Sequence, residues 1–230
     1  PTIDLLQEAG PINGLIIASP SNPTGTMLSK DELKKLVLWC KNKRVRLISD
    51  EIYHGISYGN APATAASFDD QVIVINSFSK YFAMTGWRLG WMIVPHDLTH
   101  SVERLAQNLF VSPASLPQHA ALTALDCRKE LDNYVEIYAR NRAYLLNHLP
   151  SVGFEKLAPA DGAFYLYADV SGLTSDSKQF CRQMLEEIGV ATTPGIDFDT
   201  RLGHRYMRFS FAGAEKTVVE AVKRLNNWRR

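Results

Sequence analysis

Lys80 has the most pointed chemistry in this sequence. It closes "NSFSK" (76–80), directly behind the apolar run "VIVIN" (72–76), with Phe78, Tyr81 and Phe82 around it. A lysine amine condenses with carbonyl compounds, which makes it a candidate nucleophile. Two other polar groups follow apolar runs in the same way. "SPSNPTG" with Asn22 follows 14–19, and "DEIYHG" with Asp50 and Tyr53 follows 45–49. Ser77 and Ser79 accompany the lysine, Arg88 follows in "GWRLG", and Arg208 stands far along the chain in "MRFSF". From Asn22 to Arg88, an amide, a carboxylate, a phenol, two hydroxyls, an amine and a guanidinium are thus available. The carboxylate could hold a protonated ring nitrogen. Hydroxyls and a guanidinium suit a phosphate dianion.

Each of these residues alone has a plainer reading. "SNPTG" can be only a turn, and Asp50 can cap a helix. Tyr53 can be a core aromatic, and Ser77 and Ser79 turn formers. Lys80 can be a surface lysine whose stem lies along its aromatic neighbours, and Arg88 half of a salt bridge. The joint arrangement carries more weight, because ligand sites of open parallel sheets form beyond the carboxyl ends of the strands.

The elements that must position these residues follow from apolar patterning. Residues 3–9 read as a short helix closed by Gly10-Pro11. The run 14–19 reads as a strand buried on both faces. Ser29 with Glu32 forms a capping-box pattern, and Leu33, Leu36, Val37 and Cys40 recur at helical spacing behind it. Strands are expected at 45–49, 72–76 and 89–95. The last follows through a short excursion, which leaves antiparallel pairing with its neighbour open. Residues 97–149 read as mostly helical. Strands around 162–170, 190–195 and 205–212 then alternate with helices around 178–188 and 214–228. The fold class is α/β, with a mostly parallel sheet in residues 1–140 and a small α+β domain in 141–230.

Composition narrows the function classes. The 230 residues are 46% hydrophobic and 21% charged, with 25 basic and 24 acidic side chains and a net charge of +1. That balance leaves no footprint for nucleic acid or a membrane surface. No apolar run approaches the ~20 residues of a membrane helix. Cys40, Cys127 and Cys181 are far apart and odd in number, which points to a reducing, cytoplasmic setting. His96 and His100 share a helical face, yet no third ligand stands near, and no metal site is expected.

Pyridoxal phosphate is the cofactor that uses this set of groups. "SNPTG", "DEIY", "SFSK" followed by "GWRLG", and "MRFSFA" resemble the motifs of fold-type I pyridoxal-phosphate aminotransferases of the aspartate aminotransferase superfamily. The resemblance runs from about residue 1 to 228. It implies a partial PLP-transferase fold in which Lys80 binds the cofactor aldehyde and moves the substrate proton. It implies that Asp50 pairs with the pyridine nitrogen, and that Tyr53 and Asn22 hydrogen-bond the phenolic oxygen. Ser77, Ser79 and Arg88 match phosphate ligands, and Arg208 matches the arginine that grips the substrate α-carboxylate, with Asn22 beside it. "DGAFY" (161–165) and "TPG" (193–195) resemble segments near the substrate, and Ile196 and Phe198 would suit an apolar side chain. Asn22-Pro23 is a candidate cis bond.

The implied activity is transfer of an amino group from an amino acid to a 2-oxo acid, by a homodimer when full-length. A lyase or synthase on the same fold, or a non-catalytic sensing domain, are the alternatives. The resemblance begins partway into the family's fold. The chain is therefore expected to be a C-terminal part that by itself binds the cofactor weakly or not at all.

Overall fold

Ser29 begins the best-defined helix of the chain for the reason its spacing suggests. In the computed structural model, which describes residues 2–228, its hydroxyl accepts from the Glu32 amide, and the Glu32 carboxylate accepts from the Ser29 amide. Both halves of the capping box are present and satisfy two amides that helix geometry leaves open. The helix, α2, spans Lys30–Lys43 and follows α1, Ile3–Glu8. It ends where Arg44 turns left-handed.

The chain divides into two units. The first takes the residues up to Pro20 with Met27–Asp132, and the second takes Ser21–Thr26 with the residues from Asn133 on. The expected division at 140 and this one at Asp132 both fall within one long helix, α5, Arg128–His148.

The first unit is built on a four-stranded sheet in the order β1-β2-β3-β4. Its strands are β1 Gly14–Ala18, β2 Arg46–Asp50, β3 Ile73–Ser77 and β4 Gly90–Ile93. The first three run parallel, and β4 runs antiparallel to β3. Leu33, Leu36, Val37 and Cys40 of α2 form a buried cluster with Leu6, Ile17, Leu47, Ala65 and Val74. Each leucine, isoleucine and valine among them contributes about 1.5–3 kcal/mol by leaving water. Burial also pushes the Cys40 thiol up to about 11, and all three cysteines are free.

The other face of this sheet corrects an expectation. Register places Ile16, Ile48, Ile73, Ile75 and Met92 on one face, because successive side chains of a strand alternate. None of the five is buried, and Ile16 is 71% and Met92 50% exposed. The run 14–19 is therefore buried on one face only. The helices expected in 97–149 are α3 His96–Phe110, α4 Ser115–Ala124 and α5.

The second unit holds an antiparallel sheet in the order β5-β6-β8-β7. Its strands are β5 Lys156–Leu157, β6 Tyr165–Asp169, β7 Thr193–Pro194 and β8 Tyr206–Ser210. The helices are α6 Ser177–Ile188, capped by the Asp176 carboxylate, and α7 Glu215–Trp228. Phe154, Leu166, Ala168, Met184, Met207 and Phe211 are fully enclosed. Buried Asn141 donates to the carbonyls of Phe211 and Gly213, which fastens α5 to the chain after β8.

Candidate functional site

Parallel register brings the chemistry of the first unit to neighbouring strand ends. Asp50 is the last residue of β2, aligned with Ala18 of β1 and Ile75 of β3. Its Oδ1 accepts from the Ile52 amide at 3.2 Å, which starts the turn carrying Tyr53. This is the capping role that an aspartate at a strand end can always take, and it engages one of the two oxygens.

Tyr53 is buried, and the Lys80 amine lies 5.6 Å from the centre of its ring, within reach of a cation–π attraction. The two loops are held together by Gly55. Its φ of +94° is one that a side chain resists, and a Cβ there would stand 2.5 Å from the Tyr81 ring. Tyr81 in turn donates to Asp132 at 2.6 Å. Burial first, then this hydrogen bond, pushes its phenol up to about 12.

The aromatic neighbours of Lys80 do something other than surround the amine. Phe78 packs on Phe82 and on Trp91, each at 4.8 Å between ring centres. They pin the loop to β4 and leave the amine toward Tyr53.

A relay of polar contacts shapes the rest of this loop. The Ser77 hydroxyl accepts from the Ser79 amide at 3.0 Å, and the Ser79 carbonyl accepts from the Thr85 hydroxyl at 2.8 Å. The Thr85 carbonyl accepts from an Arg88 terminal nitrogen at 3.0 Å. Arg88 is exposed and left-handed, with φ 54°. A left-handed arginine is uncommon, and such outliers gather at functional sites. Thr85 was not singled out from sequence, because a threonine in a turn carries no distinguishing spacing.

The second unit holds the other guanidinium. Arg208 sits in β8 between two aromatic faces, Tyr165 at 4.3 Å and Phe198 at 4.8 Å. One terminal nitrogen donates to Asn22 Oδ1 at 2.6 Å and the other to the Thr193 hydroxyl at 3.2 Å. Its Nε is enclosed without a partner. Among the described residues no carboxylate pairs with it.

Asn22 reaches Arg208 because Ser21–Thr26 belongs to this unit. Asn22-Pro23 is cis, as is Ser19-Pro20. Gly25 accepts from the Gly162 amide at 2.9 Å. A Cβ on Gly25, whose φ is +69°, would stand 2.7 Å from the Tyr165 carbonyl. Glycine is thus required where "SNPTG" packs on "DGAFY". Ile196 and Phe198 are partly exposed beside β7. Thr193, inside the "TPG" segment, is the contact to Arg208 that sequence reading left without a role.

Among the described residues no group of metal-ligating side chains forms a metal site, and no helix is long and apolar enough to cross a membrane.

The aminotransferase class I and II family matches residues 2–225. Valine–pyruvate aminotransferase of Mycobacterium tuberculosis is 47% identical over 233 residues, covering 99% of this chain and 60% of that protein. A (5-formylfuran-3-yl)methyl phosphate transaminase of Methanocaldococcus jannaschii is 32% identical, covering 99% of the chain and 61% of that protein. Among solved structures, an aminotransferase from Mycobacterium tuberculosis superposes with a TM-score of 0.96 at 47% identity, covering all of this chain and 60% of that one. A Thermus thermophilus aspartate aminotransferase mutant gives 0.91 at 29% identity, with 99% and 60% covered. The chain spans about 60% of the length of these relatives. Its α/β architecture is part of the PLP-transferase fold, and the chain belongs to the aminotransferase class I and II family, whose members use pyridoxal 5′-phosphate.

Proposed function

We propose that the protein is a pyridoxal-phosphate-dependent aminotransferase that moves the amino group of an apolar amino acid to a 2-oxo acid. The observation that carries this reading is the Lys80 amine facing Tyr53 from the adjacent strand end, with Asp50 opening the same turn. The donor set fits the cofactor. It offers an amine for the aldehyde, a carboxylate with one oxygen unengaged by Ile52 for a ring N–H, and hydroxyls with a guanidinium for a phosphate.

The cofactor, when bound, supplies an electron sink for negative charge at the substrate Cα. The protein residues do the rest. Lys80 would take and return the proton at Cα, as a positioned base does. Asp50 would hold the proton on the ring nitrogen, and the Tyr53 hydroxyl would donate to the phenolic oxygen. Ser77, Ser79 and Arg88 would bind the phosphate. Arg208 would bind the substrate carboxylate, its plane held by two rings and its edge oriented by Asn22 and Thr193. A guanidinium with only neutral partners retains its full attraction for an anion.

Ile196 and Phe198 support an apolar substrate, in keeping with the name of the relative that acts on valine. The apolar side chains left exposed on β4, α3 and α4 support action as a homodimer. Three free cysteines agree with a cytoplasmic location.

The test is covalent capture. The chain is mixed with excess pyridoxal 5′-phosphate, reduced with borohydride and mapped by mass spectrometry. Label concentrated on Lys80, and lost in Lys80→Ala, supports the reading. Label spread evenly over the lysines would sink it. Alanine formed from valine and pyruvate would then distinguish a transaminase from a lyase.

A further inference from the structure

We propose that Glu51 and His54 share one buried proton, which fastens the turn carrying Asp50 and Tyr53 to the carboxyl end of β1. Glu51 directly follows Asp50 and is a carboxylate with 3% of its side chain exposed. Its Oε1 accepts from the Ser49 hydroxyl at 2.9 Å and from the Ala65 amide at 2.8 Å. Its Oε2 faces His54 Nδ1 at 3.5 Å. The other ring nitrogen, Nε2, stands 3.2 Å from the Ser19 carbonyl oxygen.

Proton counting decides the state of the pair. A carbonyl oxygen can only accept, so Nε2 must carry a hydrogen. If the ring held no second proton and Glu51 were ionised, the Nδ1 lone pair would face carboxylate lone pairs. That arrangement is costly where both side chains are largely removed from water. One proton between Nδ1 and Oε2 removes the conflict, whether it rides on the ring or on the carboxyl. Burial holds the His54 ring below the ordinary histidine range, and Glu51, the Ser19 carbonyl and Asp50 offset that only in part. The charged groups acting on the ring are therefore Glu51 and Asp50. Ser19 and Ala65 bring backbone groups only, and Ser49 a neutral hydroxyl.

The pair ties three strand ends together. His54 reaches Ser19 beyond β1, the Glu51 side chain holds Ser49 of β2, and the Glu51 amide donates to Ile75 of β3 at 2.9 Å. Asp50 and Tyr53 lie inside this knot. Glu51 and His54 are positioning residues that act through them. That consequence rests on the cofactor reading of Asp50 and Tyr53, whereas the shared proton does not.

The experiment is NMR of the ligand-free chain, labelled in histidine rings and glutamate carboxyls, near neutral pH. The wild type should show either a doubly protonated His54 ring or a protonated Glu51. Glu51→Gln keeps an oxygen for Ser49 and Ala65, and should leave His54 as the neutral Nε2–H tautomer. A bare Nδ1 beside an ionised Glu51 in the wild type would overturn the proposal, as would a doubly protonated wild-type ring that stays doubly protonated in Glu51→Gln. Amide exchange at Ile52 and Tyr53 should quicken in Glu51→Gln and in His54→Ala, and unchanged exchange in both would overturn the fastening. No cofactor is present, so failure of the Lys80 capture would leave this result standing.

Discussion

The two units solve burial differently. In the second, β6 and β8 place Leu166, Ala168, Met207 and Phe209 inside, and Phe154, Met184, Phe211 and Leu225 enclose them. In the first, α2 covers one face of the sheet, and the register leaves four isoleucines and Met92 unburied on the other. A parallel sheet ordinarily has cover on both faces. The same contrast holds for the functional groups. Arg208 is held in place, with both terminal nitrogens engaged and two rings within 4.8 Å, although its Nε has no partner. Among the described residues, Lys80 has one ring 5.6 Å away, and Arg88 is exposed with a single carbonyl partner. Preorganisation is cheap where a core surrounds the residue, and Arg208, the proposed anion fork, sits on the better-enclosed sheet.

The largest expected effect tests the burial contrast directly. Phe211→Ala should cost about 3–5 kcal/mol in urea unfolding, as removal of an enclosed ring does. Met92→Ala, on the uncovered face, should cost under about 0.5 kcal/mol. Equal losses would break the comparison.

The next test addresses the fork. Arg208→Lys keeps the charge and loses the planar geometry between the two rings. Binding of amino or 2-oxo acids should weaken by roughly 2 kcal/mol, about thirtyfold, in a titration. An unchanged affinity would mean that charge alone is read there.

Gly25→Ala sharpens the claim that Ser21–Thr26 is integral to the second unit. The new Cβ meets the Tyr165 carbonyl at 2.7 Å in a left-handed backbone. The expected loss is about 1–2 kcal/mol of stability. A neutral result would mean that this segment is only loosely held.

The smallest effect is a pH dependence confined to the second unit. Hydrogen bonding from Ser171, helped by Arg205, holds the Asp169 carboxyl below the usual carboxylate range. Its stabilisation is then complete above the unfolded value of about 3.9 and is lost as the pH falls further. The stability gap between the wild type and Asp169→Asn should therefore close in acid. A gap that stays constant down to low pH would show that the carboxylate's charge is not what Ser171 and Arg205 recognise.

Much of the first unit was legible because its signals are local. Ser29 and Glu32 are three residues apart, and both halves of the cap formed. The short excursion before 89–95 left antiparallel pairing open, and β4 pairs with β3 in that sense. The position of Asp50 at a strand end, and of Tyr53 and Lys80 three residues beyond one, was legible because strand ends follow from apolar runs. What escaped was decided at long range. β5 is two residues long and exists only through pairing with β6. Glu51 stood unnoticed beside Asp50, because nothing in "DEIY" says which carboxylate turns inward. Thr193 lies 15 residues from Arg208, and the pairing of β7 with β8 is what joins them.

By itself the sequence determined the order of the elements, the helix start at Ser29 and the identity of the groups available for chemistry. Apolar periodicity and capping are properties of neighbours in the chain. Only the tertiary structure decided that Asn22 serves Arg208, 186 residues away. It also decided that the sheet of the first unit has one covered face, and that Glu51 and His54 meet inside it. Those outcomes depend on which surfaces exclude water, and burial is a property of the packed chain rather than of any segment within it.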